Sequence, residues 1–272
     1  MANQISLTSG MRSNLLSLQQ TSTMINQTQN RLSTGKKVNT PLDNPTNYFA
    51  AQSHMQRADD LSARKDGMAE AVQMAKAADA GIKAITSLIE SAKGVAQAAL
   101  ATTSTTDRTT YATTFNTLRT QIDKIAQDSG YRGTNFLSGD NQVVEFAQKT
   151  GDSTLTIEGF DASTAATGLD ISSATWTADN ATITASSTEL ESAMNTLRSE
   201  SSKLSSNLSV VTTRQDFTNS MINELKTGAD NLTLADMNEE GANMLMLQTQ
   251  QNLGVTSLSM ASQAAQAVMR LF

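Results

Sequence analysis

The first apolar residues of the chain recur at steps of three, four or seven positions, which places them on one face of an α-helix. Gly35 follows at the position of a C-cap glycine, so we expect the helix to end there. Residues 34–47 hold both prolines of the chain and predict an extended or turning connector. A long helix then resumes near Tyr48. The first stripe consists of Leu7, Met11, Leu15, Leu18, Ile25 and Leu32.

Two segments interrupt the helical pattern further on. Residues 102–107 are all serine, threonine or aspartate, and they predict a break with Asp107 as the N-cap of a third helix. In the middle of the chain, residues 143–146 and 155–160 alternate partly and predict short strands. No lysine or arginine occurs between residues 150 and 197, where serine and threonine are dense. This composition buries little and predicts a small β-rich surface region.

The most regular pattern begins at Leu190 and continues to Leu232. Its positions alternate in steps of four and three, and ten of the thirteen are apolar. This heptad seam predicts a long helix packed lengthwise against partners. A last helix is predicted after Asp236, up to the end of the chain. One face of it carries Leu247, Leu258, Ala265, Val268 and Phe272.

These patterns predict a mainly α fold, an elongated antiparallel helical bundle or coiled coil built from both chain ends, with a small β-rich middle region. The amphipathic helices reach both ends, where segments normally fray unless something holds them. The partner could be the other terminal helix or a neighbouring subunit. A two-helix stalk buries little area alone, and a contact repeated without closing generates a filament. We therefore expect the residues of the first stripe and of the last helix face to make polymer contacts.

Composition and charge exclude several classes of function. The net charge of −6, the pI of about 4.9 and the lack of a basic cluster argue against nucleic-acid binding. No apolar run approaches the roughly 18 residues that a membrane span needs. The chain has no cysteine, and residues 1–10 lack the apolar core of a Sec-type signal peptide.

The sequence gives little support to catalysis. His54 is the single histidine, and neither an HExxH nor a GxxxxGK[ST] motif occurs. Without cysteine there is no thiol nucleophile. The adjacent acidic pairs at 59–60 and 239–240 lie on diverging helix faces. We therefore expect a protein that is not an enzyme and that holds no cofactor or metal.

Motifs at both ends of the chain resemble those of bacterial flagellins. Residues 30–39 (NRLSTGKKVN) and the aspartate that follows are similar to the family's signature turn. Residues 122–126 (IDKIA), 131–137 (YRGTNFL) and 263–272 (QAAQAVMRLF) resemble further family elements in order and spacing. The chain is identified as a member of this family, in a short form without large outer domains. The positions that match the signature turn are Arg31, Leu32, Ser33, Gly35, Asn39 and Asp43.

The resemblance implies a structural subunit that polymerises through its terminal helices into the flagellar filament and serves as a motility propeller. It also implies type III export without a cleaved signal and an extracellular location. The implied partners are further copies of the chain, an export chaperone, and filament cap and junction proteins. The implied divisions are 1–47 and 236–272 as stalk helices of the inner core, with 48–137 and 189–235 as the outer coiled-coil layer and 138–188 as the variable surface region.

One helix segment departs from the family pattern. Many flagellins carry an LQRIRELAVQ-type segment that innate immune receptors recognise, and residues 88–97 read LIESAKGVAQ instead. Two arginines are replaced by Glu90 and Ala92, and a glutamate is replaced by Lys93. Reversed charges weaken a complementary interface, so we expect weak recognition by the flagellin-sensing toll-like receptor. The positions compared are Leu88, Glu90, Ala92, Lys93 and Gln97.

Two alternatives stay open. A hook–filament junction protein shares related terminal helices, but it would join or cap a filament and would not polymerise without limit. A coiled-coil binding module belongs to a different class, and tolerance of terminal truncation would support it.

Overall fold

The structure is a computed structural model, and it describes residues 9–147, 153–177 and 179–269. Helices and short strands follow one another along this part of the chain, and the mainly α class with a small β-rich middle region is confirmed. The elements are α1 (Ser9–Thr34), α2 (Pro45–Ala101), α3 (Thr105–Asp128), β1 (Gln142–Glu145), β2 (Thr154–Ile157), α4 (Asn180–Thr233) and α5 (Met237–Met269).

The chain forms two compact units. One, here called the terminal unit, contains Met1–Gln56 and Glu224–Phe272. The other, here called the central unit, is Arg57–Asn223. The divisions fall within α2 and α4, so each of these long helices contributes residues to both units.

Local signals explain where α1 ends and where α3 begins. Gly35 has a φ of 71°, and its N–H donates to the carbonyl of Arg31 at 2.8 Å, which closes α1 as predicted. Ser104 is the N-cap of α3, because its hydroxyl oxygen accepts the N–H of Asp107 at 3.3 Å. The prediction that Asp107 is the cap is therefore wrong. Asp107 lies in the first turn, where its carboxylate complements the helix dipole.

The predicted strands form a two-stranded antiparallel sheet. Glu145 lies opposite Thr154 in the register of β1 and β2. Val144 and Ile157 are buried, while Val143 is exposed, so one face of the sheet packs onto the core of the central unit. A pair of strands has little stability alone. Packing of that one face therefore holds the sheet in place.

The heptad seam is packed along its whole length in α4. None of its thirteen positions from Leu190 to Leu232 is exposed. The helix itself begins at Asn180, before the boundary expected at residue 189. Ile183 is completely buried in the core, and this contact explains why a Ser/Thr-rich stretch is helical.

The central unit contains a continuous apolar core to which α2, α3, α4 and both strands contribute. Trp176 and Phe115 are buried with ring centroids 4.9 Å apart, and Trp176 Nε1–H donates to Ser186 Oγ at 3.3 Å. Gly81 permits close packing, because a β-carbon there would lie 2.6 Å from Leu137 Cδ1. This unit thus buries its tryptophan and most of its large aliphatic side chains within itself, whereas Phe217 on α4 is exposed.

Candidate assembly surface at the chain ends

The two ends of the chain pair as antiparallel helices in the terminal unit. α1 packs against α5. Near the end of α1, Arg31 Nη1 lies 2.9 Å from Oε1 of Glu240, which is in the first turn of α5. In the middle of both helices, a β-carbon at Gly254 would lie 2.7 Å from Leu18 Cδ2. The glycine therefore allows the two backbones to approach closely at this point.

The inward positions of this helix pair hold most of the residues that the sequence stripe selects. Met11 and Leu247 are buried. The half-buried members are Leu18, Ile25, Leu32, Leu258 and Ala265. Threonine shares the buried line of α1, since Thr21 and Thr28 are buried as well. Predicted contact residues Leu7 and Phe272, and the side chain of Val268, lie outside the described residues.

The outward positions of α1 and α5 carry large apolar side chains that nothing in the described chain covers. They are between 41 % and 68 % exposed. Apolar side chains of this size gain free energy when they leave water, so several exposed ones on paired helices indicate a contact surface. We call these residues the outer apolar set: Leu15, Leu16, Met24, Met237, Leu245, Met246, Leu253, Val255 and Met260.

Backbone hydrogen bonds tie the connector after α1 to the turn between α4 and α5. Lys37 N–H donates to the carbonyl of Thr233 at 2.7 Å, and Ala235 N–H donates to the carbonyl of Gly35 at 3.0 Å. Lys36 and Leu234 form an isolated antiparallel bridge. The chain leaving α1 is therefore held beside the chain entering α5.

Asp43 closes the connector on itself. Its Oδ2 accepts the backbone N–H of Thr40 at 2.9 Å and that of Asn39 at 3.0 Å. These two hydrogen bonds, the one from Thr40 first, hold the pKa of Asp43 below its ordinary value of 3.8. Asn39 in turn donates from Nδ2 to Thr34 Oγ1 at 2.8 Å.

The residues of the predicted signature turn thus have identifiable structural tasks. Arg31 pairs with Glu240, Gly35 ends α1 in the left-handed region, and Asn39 and Asp43 fix the connector. Leu32 is half-buried, whereas Ser33 is exposed. Together they set the geometry by which the two ends of the chain meet.

The segment at residues 88–97 lies in the central unit on α2. Glu90 and Gln97 are exposed and Leu88 is half-buried, whereas Ala92 is buried in the core. Lys93 Nζ lies 2.7 Å from Glu191 Oε1 on α4, and this hydrogen bond holds the pKa of Glu191 below its ordinary value. Because Ala92 is only 2 % exposed, a partner can contact this segment through Glu90 and Gln97 but not through Ala92.

Within the described ranges, neither a metal site nor a membrane span is found. No three histidine, aspartate or glutamate side chains come together there as metal ligands would. None of the helices in those ranges is long and apolar enough to cross a bilayer. His54 is half-buried on α2, and a β-carbon at Gly228 would lie 3.8 Å from its Cδ2.

Sequence reasoning missed most of the outer apolar set. The sequence pattern selects apolar residues that recur with helical periodicity on one face of each terminal helix. Leu15 is the one member of the outer apolar set that the pattern includes. The sequence does contain a signal for this surface. Apolar residues of α5 also lie outside the periodic face, namely Leu245, Met246, Leu253 and Val255. An amphipathic helix with one solvated face would carry polar residues there.

The fold and this surface define a class of protein, a helical structural protein whose joined chain ends present an apolar outer face. Comparison with known proteins gives the family. Residues 5–142 match the family model for the bacterial flagellin N-terminal helical region, and residues 188–272 match that for the C-terminal helical region. The chain belongs to the bacterial flagellin family, and it is a structural subunit of the flagellar filament.

Individual relatives match along nearly the whole chain. Flagellin FljO of Caulobacter vibrioides is 29% identical over 271 residues, which cover 99% of this chain and 98% of the relative. A flagellin of Brucella melitensis is 26% identical, with 95% of each chain covered. Among solved structures, a Bacillus cereus flagellin matches with a TM-score of 0.46 and 20% identity, over 56% of this chain and 88% of that one.

Proposed function

We propose that subunits of the filament join through the outer apolar set of α1 and α5. The observation that carries this proposal is that α5 buries Leu247 against its own unit while Leu245, Met246 and Leu253 beside it stay exposed. Fully burying such a side chain contributes about 1.5–3 kcal/mol relative to leaving it exposed. Several of them covered by neighbouring copies supply enough free energy to hold a subunit in a polymer.

The contact joins different surfaces of successive copies. Because α1 and α5 of one subunit pair with each other, we propose that their outer side meets a different part of the next subunit. A contact of that kind that does not close extends as an open helix. The inward residues of α1 and α5, such as Met11 and Leu247, then hold the two helices together, and the outer apolar set makes the contact between subunits.

Seeded growth of filaments tests this proposal. We expect the double variant Leu245→Ser with Leu253→Ser to remain folded and to lose seeded growth, measured by light scattering and electron microscopy. Because both residues are exposed, each substitution should alter the stability of the free subunit by less than about 0.5 kcal/mol. The matched control, Gln248→Ser with Gln250→Ser, changes exposed polar positions of the same helix and should grow normally.

Normal growth of the first variant would contradict the proposal. If the unaltered chain binds seeds without extending them, a junction protein is favoured.

We propose that the filament has three layers, and the division of the chain into a terminal and a central unit supports this proposal. The stalk segments 1–47 and 236–272 would line the interior, 48–137 and 189–235 would form the outer coiled-coil layer, and 138–188 would lie on the surface. An antibody raised against a peptide from residues 138–147 should label the sides of intact filaments. Labelling only at broken ends would contradict this arrangement.

The subunit is proposed to be secreted through the flagellar type III apparatus and to reside outside the cell. The support is membership of the flagellin family. Deleting an export ATPase of the flagellar apparatus should retain the chain inside the cell. Its undiminished appearance in the medium would contradict this route.

The proposed partners before assembly are an export chaperone, and at the filament ends the cap and junction proteins. The exposed apolar residues of α5 give a chaperone a surface that must be shielded before export. A chaperone that co-purifies with the unaltered chain should be lost from the Leu245→Ser, Leu253→Ser variant.

We also expect no catalytic activity from this chain.

Recognition by the flagellin-sensing toll-like receptor is proposed to be weak. The support is that Glu90 presents a negative charge and that Lys93 is paired with Glu191. Glu90→Arg should raise the response of a receptor reporter cell, and Gln97→Glu should not. A full response to the unaltered chain would contradict this proposal.

A further inference from the structure

The methionines of this chain are divided unevenly between the two units. Those exposed among the described side chains, namely Met24, Met55, Met237, Met246 and Met260, all belong to the terminal unit. In the central unit, Met68 and Met74 are buried, and Met194 and Met221 are half-buried. Four of the exposed methionines, Met24, Met237, Met246 and Met260, are members of the outer apolar set.

The thioether is the soft, oxidisable group that this surface presents. The chain has no cysteine, and its single tryptophan, Trp176, is 1 % exposed. Exposed methionine reacts with peroxides to give the sulfoxide, which is polar and is returned to the thioether by dedicated reductases. In this reaction the sulfur forms a bond to one peroxide oxygen, the O–O bond breaks and water leaves. Sulfur loses two electrons and the peroxide gains them.

We propose that Met24, Met237, Met246 and Met260 form an oxidation-sensitive site, at which a peroxide converts the thioethers to sulfoxides and stops free subunits from joining the filament. This inference rests on the proposed role of the outer apolar set as the subunit contact. A sulfoxide oxygen accepts hydrogen bonds strongly, and burying it against apolar side chains leaves it without a donor. A contact that unmodified methionine makes through its flexible apolar side chain is therefore lost.

The same geometry makes the effect depend on assembly. In a free subunit the four methionines are between 43 % and 60 % exposed, whereas in the proposed filament contact the neighbouring copy covers them. Free subunits should therefore be sensitive to peroxide, and finished filaments should resist it. Buried Met11, Met68 and Met74 serve as internal controls in both states.

The test begins with free subunits of the full chain treated with hydrogen peroxide. Mass spectrometry should show sulfoxide at the four sites before it appears at Met11, Met68 or Met74. Seeded growth should then require at least about a tenfold higher subunit concentration, which corresponds to about 1.4 kcal/mol. Filaments treated in the same way should keep the four thioethers. Normal growth of subunits that carry all four sulfoxides would overturn the inference.

A variant with leucine at the four positions, Met24→Leu, Met237→Leu, Met246→Leu and Met260→Leu, separates this site from other oxidation. It should grow from seeds before and after peroxide treatment, because leucine keeps the surface apolar and has no sulfur. Loss of growth after treatment, equal to that of the unaltered chain, would overturn the inference. If the variant does not grow even untreated, methionine sulfoxide reductases of both stereospecificities are applied to the oxidised unaltered chain. Recovered growth then supports the inference, and failure to recover with all methionines reduced overturns it.

The Leu245→Ser, Leu253→Ser variant distinguishes the two proposals. If this variant fails to grow from seeds while oxidised subunits of the unaltered chain grow normally, the outer apolar set remains the contact and only the oxidation site is refuted. If it grows normally while oxidation blocks growth, the role of these leucines is refuted. The oxidation effect must then act at a different contact, and the inference in its present form is refuted too.

Discussion

The central unit and the terminal unit differ in how far they bury their large apolar side chains. The central unit buries Trp176, Phe115 and a long series of aliphatic residues in one continuous core. The terminal unit pairs two helices through a narrow line in which threonine and glycine alternate with aliphatic residues, and it exposes the outer apolar set. If the outer apolar set is the subunit contact, as proposed, the stability of the subunit and the stability of the filament are encoded in different places. One is internal to the fold, and the other is left for neighbours to complete.

Removing a core aromatic should produce the largest effect and should act on the central unit alone. Phe115→Ala removes a ring that is 1 % exposed and in contact with Trp176. We expect a loss of about 3–5 kcal/mol in the free energy of unfolding, measured by denaturant titration with Trp176 fluorescence as the probe. Phe217→Ala, at a ring that is 55 % exposed, is the matched control and should cost less than about 1 kcal/mol. Equal losses in the free energy of unfolding for the two variants would mean that Phe115 does not lie in the core.

Breaking the Arg31–Glu240 pair should weaken the terminal unit by a smaller amount. The side chain of Glu240 is 9 % exposed, so removal of Arg31 leaves a poorly solvated carboxylate. A double-mutant cycle with Arg31→Ala and Glu240→Ala should give a coupling of about 1–2 kcal/mol, from hydrogen exchange of the α5 amides. The exposed Lys83–Asp79 pair on α2 is the control, with a coupling of about 0–0.5 kcal/mol expected from hydrogen exchange of the α2 amides. A coupling at Arg31 no larger than this control would show that the pair does not hold the chain ends together.

The glycines of α5 give a sharper comparison within one helix. Gly241→Ala meets no atom within 4 Å and should stabilise the helix by up to about 1 kcal/mol. Gly254→Ala gains the same helix propensity but must displace Leu18, so it should stabilise less or destabilise. Hydrogen exchange along α5 measures both. A greater gain at Gly254 would mean that α1 does not approach α5 as closely as described.

Acid should loosen the connector through Asp43, with the smallest effect. The pKa of the Asp43 carboxyl in the folded chain lies below its ordinary value of 3.8. The stabilisation that the ionised carboxylate gives to the connector is therefore complete above pH 3.8, and it is lost as the pH falls through the pKa of the folded chain. The amide NMR signals of Asn39 and Thr40 should therefore titrate below pH 3.8 and be steady above it. Asp43→Asn should abolish this titration. An inflection above the ordinary value would contradict the hydrogen-bonding arrangement.

The periodic parts of the fold could be predicted from the sequence because periodicity reports burial directly. The seam of α4 and the end of α1 at Gly35 are examples. Other features depend on tertiary contacts. Several residues before α3 can cap a helix, and only the structure selects Ser104. The start of α4 reads as a loop by propensity, and the burial of Ile183 makes it helical.

The candidate site could be predicted only in part for a related reason. The sequence correctly indicates that both chain ends carry apolar faces. It does not say which apolar residues are used between α1 and α5 and which remain outside, because α5 is apolar on more than one side. The register of the pair, set by Arg31 with Glu240 and Leu18 with Gly254, decides this division.

A cryo-electron microscopy structure of filaments grown from the full-length chain, at a resolution that shows side chains, tests most directly whether the outer apolar set is the subunit contact. We predict that Leu16, Leu245, Leu253 and Met260 are covered by neighbouring copies and that α1 and α5 pair as they do in the single subunit. Filaments in which these side chains face solvent, and in which only residues of the central unit touch neighbours, would contradict it.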